Sequence, residues 1–342
     1  MRRFLIKLTY TVLPIWLVAV ISVTVFSLII CPKFSGDIGR LALIPFGQEY
    51  DIELESKNPM PDRIFPIVDR VSDLKGTQSD VVTVGDSFSE RGHSGYQNYL
   101  SAHGLKVVNC NRRLYYNPAT FAYQIMDLGY IDSTSTSVLV VEIVERSLEY
   151  FMTDFNPHAK MSTKASASRR MGGSSSGNQW SLARFRDYIL METGYADRPT
   201  LQANLDRDFF SSNEPSSLHF YKDDIMANSI QDEQAIRAAY ATLLEKARQC
   251  HIRLIMMVAV NKYDLYQRHI VNNPWKANRV NDDLNRMFGQ DTHWLLTDQC
   301  LEPLVEQGEK DLFLYNDTHW SYRAAKVVGD RLYEVIEAGA GR

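Results

Sequence analysis

Five short runs of β-branched and other apolar residues recur along this chain, separated by segments with helical periodicity. The runs lie at 81–85 (VVTVG), 106–110 (KVVNC), 138–144 (VLVVEIV), 253–260 (RLIMMVAV) and 293–298 (HWLLTD). Helical patterns fall near 94–103, 118–129, 232–249 and 274–288. A strand covered on both faces reads as a continuous apolar run, and a helix between two such strands lets them pair in parallel. The alternation predicts an α/β fold: a doubly wound parallel sheet of five strands with flavodoxin-like layering. Between Phe151 and about Ile230 the rhythm stops and the chain reads as loop. The stretch 162–177 (STKASASRRMGGSSSG) is too rich in serine and glycine to bury a core, which predicts a flexible insertion at about 151–230.

The N-terminus is of another kind. Arg2, Arg3 and Lys7 precede an uncharged apolar run at 8–31 (LTYTVLPIWLVAVISVTVFSLIIC), long enough for the ~20 residues that carry a helix across a bilayer. A cleaved signal peptide has a shorter apolar region and a small-x-small site, whereas this run ends SLIICP, so it reads as an uncleaved signal anchor. The positive residues before it predict a cytoplasmic segment 1–7 and an extracytoplasmic location for everything after Pro32. The mixed, aperiodic stretch 32–78 reads as a stalk leading to a domain at 79–342.

A net charge of −4 without a basic stripe excludes a nucleic-acid footprint. Of the four cysteines, Cys31 lies at the membrane edge. Cys110, Cys250 and Cys300 are an odd set with no metal spacing, which leaves packing, with one bridge allowed. No metal and no cofactor are expected.

The first strand runs out in VVTVGDSFSE, which puts Ser87 just past the carboxyl end of a buried strand, the edge where open α/β sheets bind ligands. Gly85 permits a sharp turn, and the Ser87 N–H could face an oxyanion. The same residues have a structural reading, since Asp86, Ser87 or Ser89 could cap the following helix. His93, six residues on, reads as a surface histidine in that helix.

A serine nucleophile needs a base, and the tetrapeptide DTHW occurs twice, at 291–294 and 317–320. Extended chain puts residues i and i+2 on one face, so either Asp could hold its His. Topology separates the copies. Asp291 and His293 follow a helix and lead into the last strand, so they enter at the amino edge, roughly 15 Å or more from Ser87 for a strand of five or six residues. Asp317 and His319 come after that strand and before a closing helix with apolar residues at Ala324, Val327, Val328, Leu332, Val335 and Ile336, so they return to the edge of Ser87.

With Gly85-Asp86-Ser87 early and Asp317-Thr318-His319-Trp320 late, the chain resembles the SGNH hydrolase superfamily, and more closely the membrane-anchored SGNH-like proteins related to the alginate O-acetyltransferases. The anchor, GDIGR at 36–40, VVEIVER ending in Glu145-Arg146, NKYDLY at 261–266 and DTHWS belong to the same likeness. The resemblance implies Ser87 as nucleophile and His319 with Asp317 as the rest of a triad. Departures accompany it. Glu142 and Glu145-Arg146 stand where a Gly-x-Asn oxyanion block is expected, and the Asp–His spacing is two rather than three. The alginate enzymes also place their Asp-x-His before the serine. Oxyanion donors beyond the Ser87 N–H are then to be sought at Asn111, Arg112 or Asn117. Arg146 and Lys262, at the carboxyl ends of the third and fourth strands, either line the mouth or form ion pairs with Glu145, Asp264 or a neighbour. Tyr266 and Trp320 are either platforms for sugar rings or packing.

Three functions compete. The first is an O-acetyltransferase acting on an extracytoplasmic polysaccharide, supplied by a membrane-bound O-acyltransferase, in a bacterial inner membrane with the domain in the periplasm. An acetyl esterase with the same triad differs only in taking water as acceptor. A non-catalytic polysaccharide-binding or scaffold subunit of a secretion complex is the third.

Overall fold

A computed structural model describes residues 1–46, 65–164 and 182–340. In chain order its strands are β1 Ile67–Val68, β2 Ser79–Val84, β3 Val107–Cys110, β4 Thr136–Val144, β5 Thr200–Asn204, β6 Ser217–Tyr221, β7 Arg253–Ala259 and β8 Trp294–Leu296. Six of them form one parallel sheet in the order β1-β3-β2-β4-β7-β8. The expectation of five strands is therefore corrected to six. The extra member, β1, pairs Ile67 with Asn109 and Val68 with Cys110, and two residues are too few to produce a readable apolar pattern.

Alternation within the strands builds two cores. Val82 and Val84 of β2, Leu139, Val141 and Ile143 of β4, and Leu254, Met256 and Val258 of β7 point to one face, under helices Pro118–Asp127, Glu233–Gln249 and Val280–Phe288. Val81, Val140, Ile255 and Met257 point to the other, under helices Tyr96–Ala102, Asp298–Glu306 and Tyr322–Ala340. Each such aliphatic side chain, taken fully out of water, contributes about 1.5–3 kcal/mol. After β2 the chain steps outward to β3, then returns across β2 to β4, so the order reverses between β2 and β4. That crevice at the carboxyl ends is where an open parallel sheet has room for a site.

The helix Arg2–Val25 continues as a π-helical turn, Phe26–Ile30, and a 3-10 turn, Cys31–Lys33. The run Arg2–Lys33 is long and apolar enough to cross a membrane. Its end is not detached from the domain. Phe26, Cys31 and Phe34 pack with Leu43 against Phe185, Tyr188 and Met191 of helix Leu182–Glu192. That helix and the antiparallel pair β5–β6 correct the reading of 151–230 as loop. Helix Leu182–Glu192 finds apolar cover on the N-terminal helix rather than on the sheet, so it breaks the β/α rhythm without being unstructured. Of the serine- and glycine-rich stretch 162–177, residues 165–177 lie outside the described residues. The stalk reading of 32–78 also changes, because helix Gly36–Ala42, β1 and the turn Val71–Leu74 belong to the folded domain, while 47–64 lie outside the described residues. All four cysteines are unpaired.

Candidate active site

The turn after β2 is shaped by Gly85. A Cβ there would lie 2.2 Å from Ser89 Oγ and 2.4 Å from Glu142 Oε2, so only hydrogen fits. Asp86 then acts as a clasp: its Oδ1 accepts from Phe88 N (3.0 Å) and its Oδ2 from Val144 N (2.8 Å), which joins the carboxyl ends of β2 and β4 across the crevice. Asp86 thus takes the capping role, and Ser89 donates to buried Glu142 (2.9 Å). Ser87, half-buried, caps nothing. Burial, and then the nearby Asp86 charge, push the Glu142 carboxyl well up; it sits behind the turn and also accepts from Asp86 N (3.0 Å).

Opposite this turn, the loop before the closing helix carries Asp317 and His319. Asp317 Oδ1 accepts from the His319 backbone N–H (3.1 Å) and lies 2.5 Å from Nδ1 of the same residue. The two side chains meet through this two-residue side-chain turn, a habit of aspartate, and not through extended chain. Burial works to raise the Asp317 carboxyl. The charge on His319, and then the Arg91 guanidinium 3.9 Å from Oδ2, outweigh it and hold Asp317 well below the usual carboxylate range. The His319 ring packs on Phe88, with centroids 4.9 Å apart, and Phe88 in turn packs on Trp320 at 4.7 Å. The residue after Ser87 is therefore in contact with the imidazole. His319 Nε2 is buried and has no hydrogen-bond partner among the described residues.

A second carboxylate stands beside the same nitrogen. Asp37 Oδ2 lies 3.3 Å from His319 Nδ1, and the Asp37 N–H donates to Asp317 Oδ2 (3.2 Å). Asp37 was not among the expected site residues: GDIGR at 36–40 entered only as part of the likeness, and its segment was read as a stalk. A signal was present in Gly36, which adopts φ +67° and whose Cβ would fall 2.0 Å from the Asn316 carbonyl. Ligand atoms of Asp37, Asp317 and His319 lie within 4.8 Å of one another, so the trio could hold a cation. A cation would have to displace the proton that Nδ1 shares with Asp317 at 2.5 Å, and that hydrogen-bond distance fits two carboxylates around a protonated Nδ1 better.

The other expected residues go elsewhere. Lys262 does not line a mouth: it is fully buried and donates to the carbonyls of Leu314 (2.7 Å), Tyr315 (2.8 Å) and Asp317 (3.0 Å), pinning the loop from beneath. Arg146 is paired with buried Asp224 at 3.1 Å and lies over the Tyr221 ring. Tyr266 and Trp320 are buried and form no platform; Tyr266 packs against Phe209, Phe210 and Phe313. Asn111 donates to Asp69 (2.6 Å) and caps the turn Arg112–Leu114, Arg112 pairs with Glu90 (2.9 Å), and Asn117 caps helix Pro118–Asp127. Each is committed away from an oxyanion. Glu145 is buried and accepts from Asn261 N (3.2 Å). His93 falls in a short 3-10 turn, Gly92–Ser94, rather than in the helix.

The other DTHW copy leads into β8 at the amino end, where Trp294 packs on Phe288 and Tyr240. In comparisons with known proteins, no family model, no curated protein and no solved structure matches this chain.

Proposed function

We propose that the chain is a membrane-anchored serine O-acyltransferase of SGNH-like layering that moves an acetyl group onto a hydroxyl of an extracytoplasmic polysaccharide. One observation carries the reading: His319 has Nδ1 held by a buried carboxylate and Nε2 unpartnered, on the sheet edge where the turn bearing Ser87 packs against its ring. A general base for serine has those properties. His319 Nε2 takes the Ser87 proton as Oγ attacks the acyl carbon. The Ser87 N–H stabilises the oxyanion, and the donor's leaving group departs with the proton from Nε2. An acceptor hydroxyl then gives its proton to Nε2 and attacks the acyl-enzyme, and Ser87 regains a proton as the ester leaves.

The N-terminal apolar run favours transfer over hydrolysis, because an esterase that releases acetate into water gains nothing from being held at a bilayer. The apolar helix gives the domain a reason to stay at the bilayer, where a membrane-bound O-acyltransferase could supply the acetyl group at high effective concentration. Arg2, Arg3 and Lys7 favour an inner-membrane protein with its N-terminus in the cytoplasm and the domain in the periplasm.

The test uses the full chain in nanodiscs with a chromogenic acetyl ester, with and without oligosaccharide acceptors. Acetylated sugar from the wild type and none from Ser87→Ala is the expected result. Acetate release unaffected by acceptor would make the protein an esterase. Equal activity of Ser87→Ala and wild type would leave a non-catalytic subunit.

A further inference from the structure

The segment between the apolar helix and the sheet does more than connect them. Four contacts stitch it to the loop that carries the base. Asn316 Nδ2 donates to Ser35 Oγ (2.6 Å), Ile38 N donates to the Asn316 carbonyl (3.1 Å), Asp37 N donates to Asp317 Oδ2 (3.2 Å), and Gly36 fits against Asn316 only because it lacks a Cβ. A passive linker has no need of a left-handed glycine at a close approach. The result is a carboxylate 3.3 Å from His319 Nδ1. The apolar run ends at Lys33, so Asp37 can lie at most about 14 Å of chain from it.

We infer that Asp37 is a positioning residue of this site: a second carboxylate on His319 Nδ1, delivered by the juxtamembrane helix Gly36–Ala42, that orients the imidazole and stabilises the imidazolium formed when Nε2 takes a proton. The inference rests on the acyl-transfer reading above. The charged and titratable groups around this pair are Asp317 on the ring, Arg91 beyond Asp317, Arg40 on Asp37 Oδ1 at 2.5 Å, Tyr221 from β6, and Lys262 beneath the loop. Arg40 draws off part of the Asp37 charge, and the Asp37 side chain is 30% exposed, so its influence is smaller than that of Asp317.

The experiment follows labelling of Ser87 by a fluorophosphonate probe against pH, with the full chain in nanodiscs. Asp37→Asn keeps the size of the side chain and the backbone N–H on Asp317. It should slow labelling at pH 7 about tenfold and move the acid limb of the rate profile to lower pH by about one unit, because an imidazolium without that charge gives up its proton more easily. Asp37→Glu should recover most of the rate. Arg40→Ala leaves Asp37 in place and removes its counter-charge, so its acid limb should move the opposite way, to higher pH. That second variant decides the matter if Asp37→Asn folds poorly, since a structural defect does not move a pH profile in a chosen direction. A rate and profile for Asp37→Asn that superimpose on wild type would overturn the inference, as would a slower rate with an unmoved acid limb. If wild type and Ser87→Ala label alike, the acyl-transfer reading fails and this inference with it. Labelled wild type with no effect at Asp37 and Arg40 refutes this inference alone.

Discussion

The two Asp-Thr-His-Trp tetrapeptides fold alike and end in different surroundings. In each, Asp Oδ1 accepts from the His backbone N–H, at 2.9 Å for Asp291 and 3.1 Å for Asp317, and meets His Nδ1, at 2.7 and 2.5 Å. The other carboxylate oxygen separates them. Asp291 Oδ2 accepts from the Tyr240 hydroxyl, whereas Asp317 Oδ2 accepts from the Asp37 N–H and faces Arg91. The His293 side chain is 30% exposed at the amino edge, and that of His319 is 5% exposed at the carboxyl edge, against Phe88. An Asp-x-His pair is therefore a local product of short-range hydrogen bonding. What marks the second copy out is its setting: the fold buries it, leaves Nε2 without a hydrogen-bond partner among the described residues, packs its ring on Phe88 and supplies further charge.

The largest expected difference between the copies is in turnover. On the proposed acyl-transfer reading, His319→Ala should lower acetyl transfer by at least ~10³-fold, the scale of losing a general base, and His293→Ala should leave it within about twofold. A comparable loss from His293→Ala would break the comparison. Next comes the support beneath the loop, for which the amino-edge copy has no counterpart among the described residues. Lys262→Met takes the ammonium donor from three buried carbonyls, of which only that of Leu314 keeps another, the Asp317 N–H at 3.4 Å, and should cost on the order of 3 kcal/mol in chemical denaturation, along with activity.

The carboxyl edge also concentrates acids: buried Glu145 after β4, buried Asp264 after β7 and partly buried Asp298 after β8. Burial, then mutual repulsion, raise them, Asp264 to about 8; for Asp298 burial is again the first cause and takes it to about 6. A carboxyl raised in the folded state contributes stability that is complete below its unfolded value of about 4 and is lost as pH rises through its folded value. The melting temperature should therefore fall between pH 4 and 8. Asp264→Asn should flatten that fall, and an unchanged slope would show that the cluster does not hold protons. The smallest effect belongs to the stability of His293→Ala, which should shift the unfolding free energy by no more than about 1 kcal/mol, measured in the same denaturation series.

Much of this was legible beforehand. Five of the six sheet strands announced themselves, down to three-residue β8, because burial on both faces leaves no polar alternation to confuse with an amphipathic helix. Their polarity was enough to assign Asp317 and His319, and not Asp291 and His293, to the edge of Ser87. Other features were invisible. Two-residue β1 is held by its neighbour β3 rather than by its own composition. Tyr266, Trp320 and Lys262 lie next to the motifs, and adjacency in sequence does not reveal whether a side chain faces the crevice or the core. Asn111 and Asn117 looked like free amides until their partners at Asp69, Thr120 and Phe151 were in place.

What the sequence determined by itself was whatever depends on neighbours along the chain: an apolar run of membrane-spanning length, strands and helices in alternation, a glycine-permitted turn before Ser87, and two Asp-x-His turns of equal local merit. What only the tertiary structure decided was the company those pieces keep. Asp37 lies 280 positions from Asp317, and no local pattern along the chain says that the two side chains meet. Their meeting depends on the whole sheet closing between them. Until it does, the loss of chain entropy on joining such distant residues outweighs anything that one hydrogen bond and one ion pair can return.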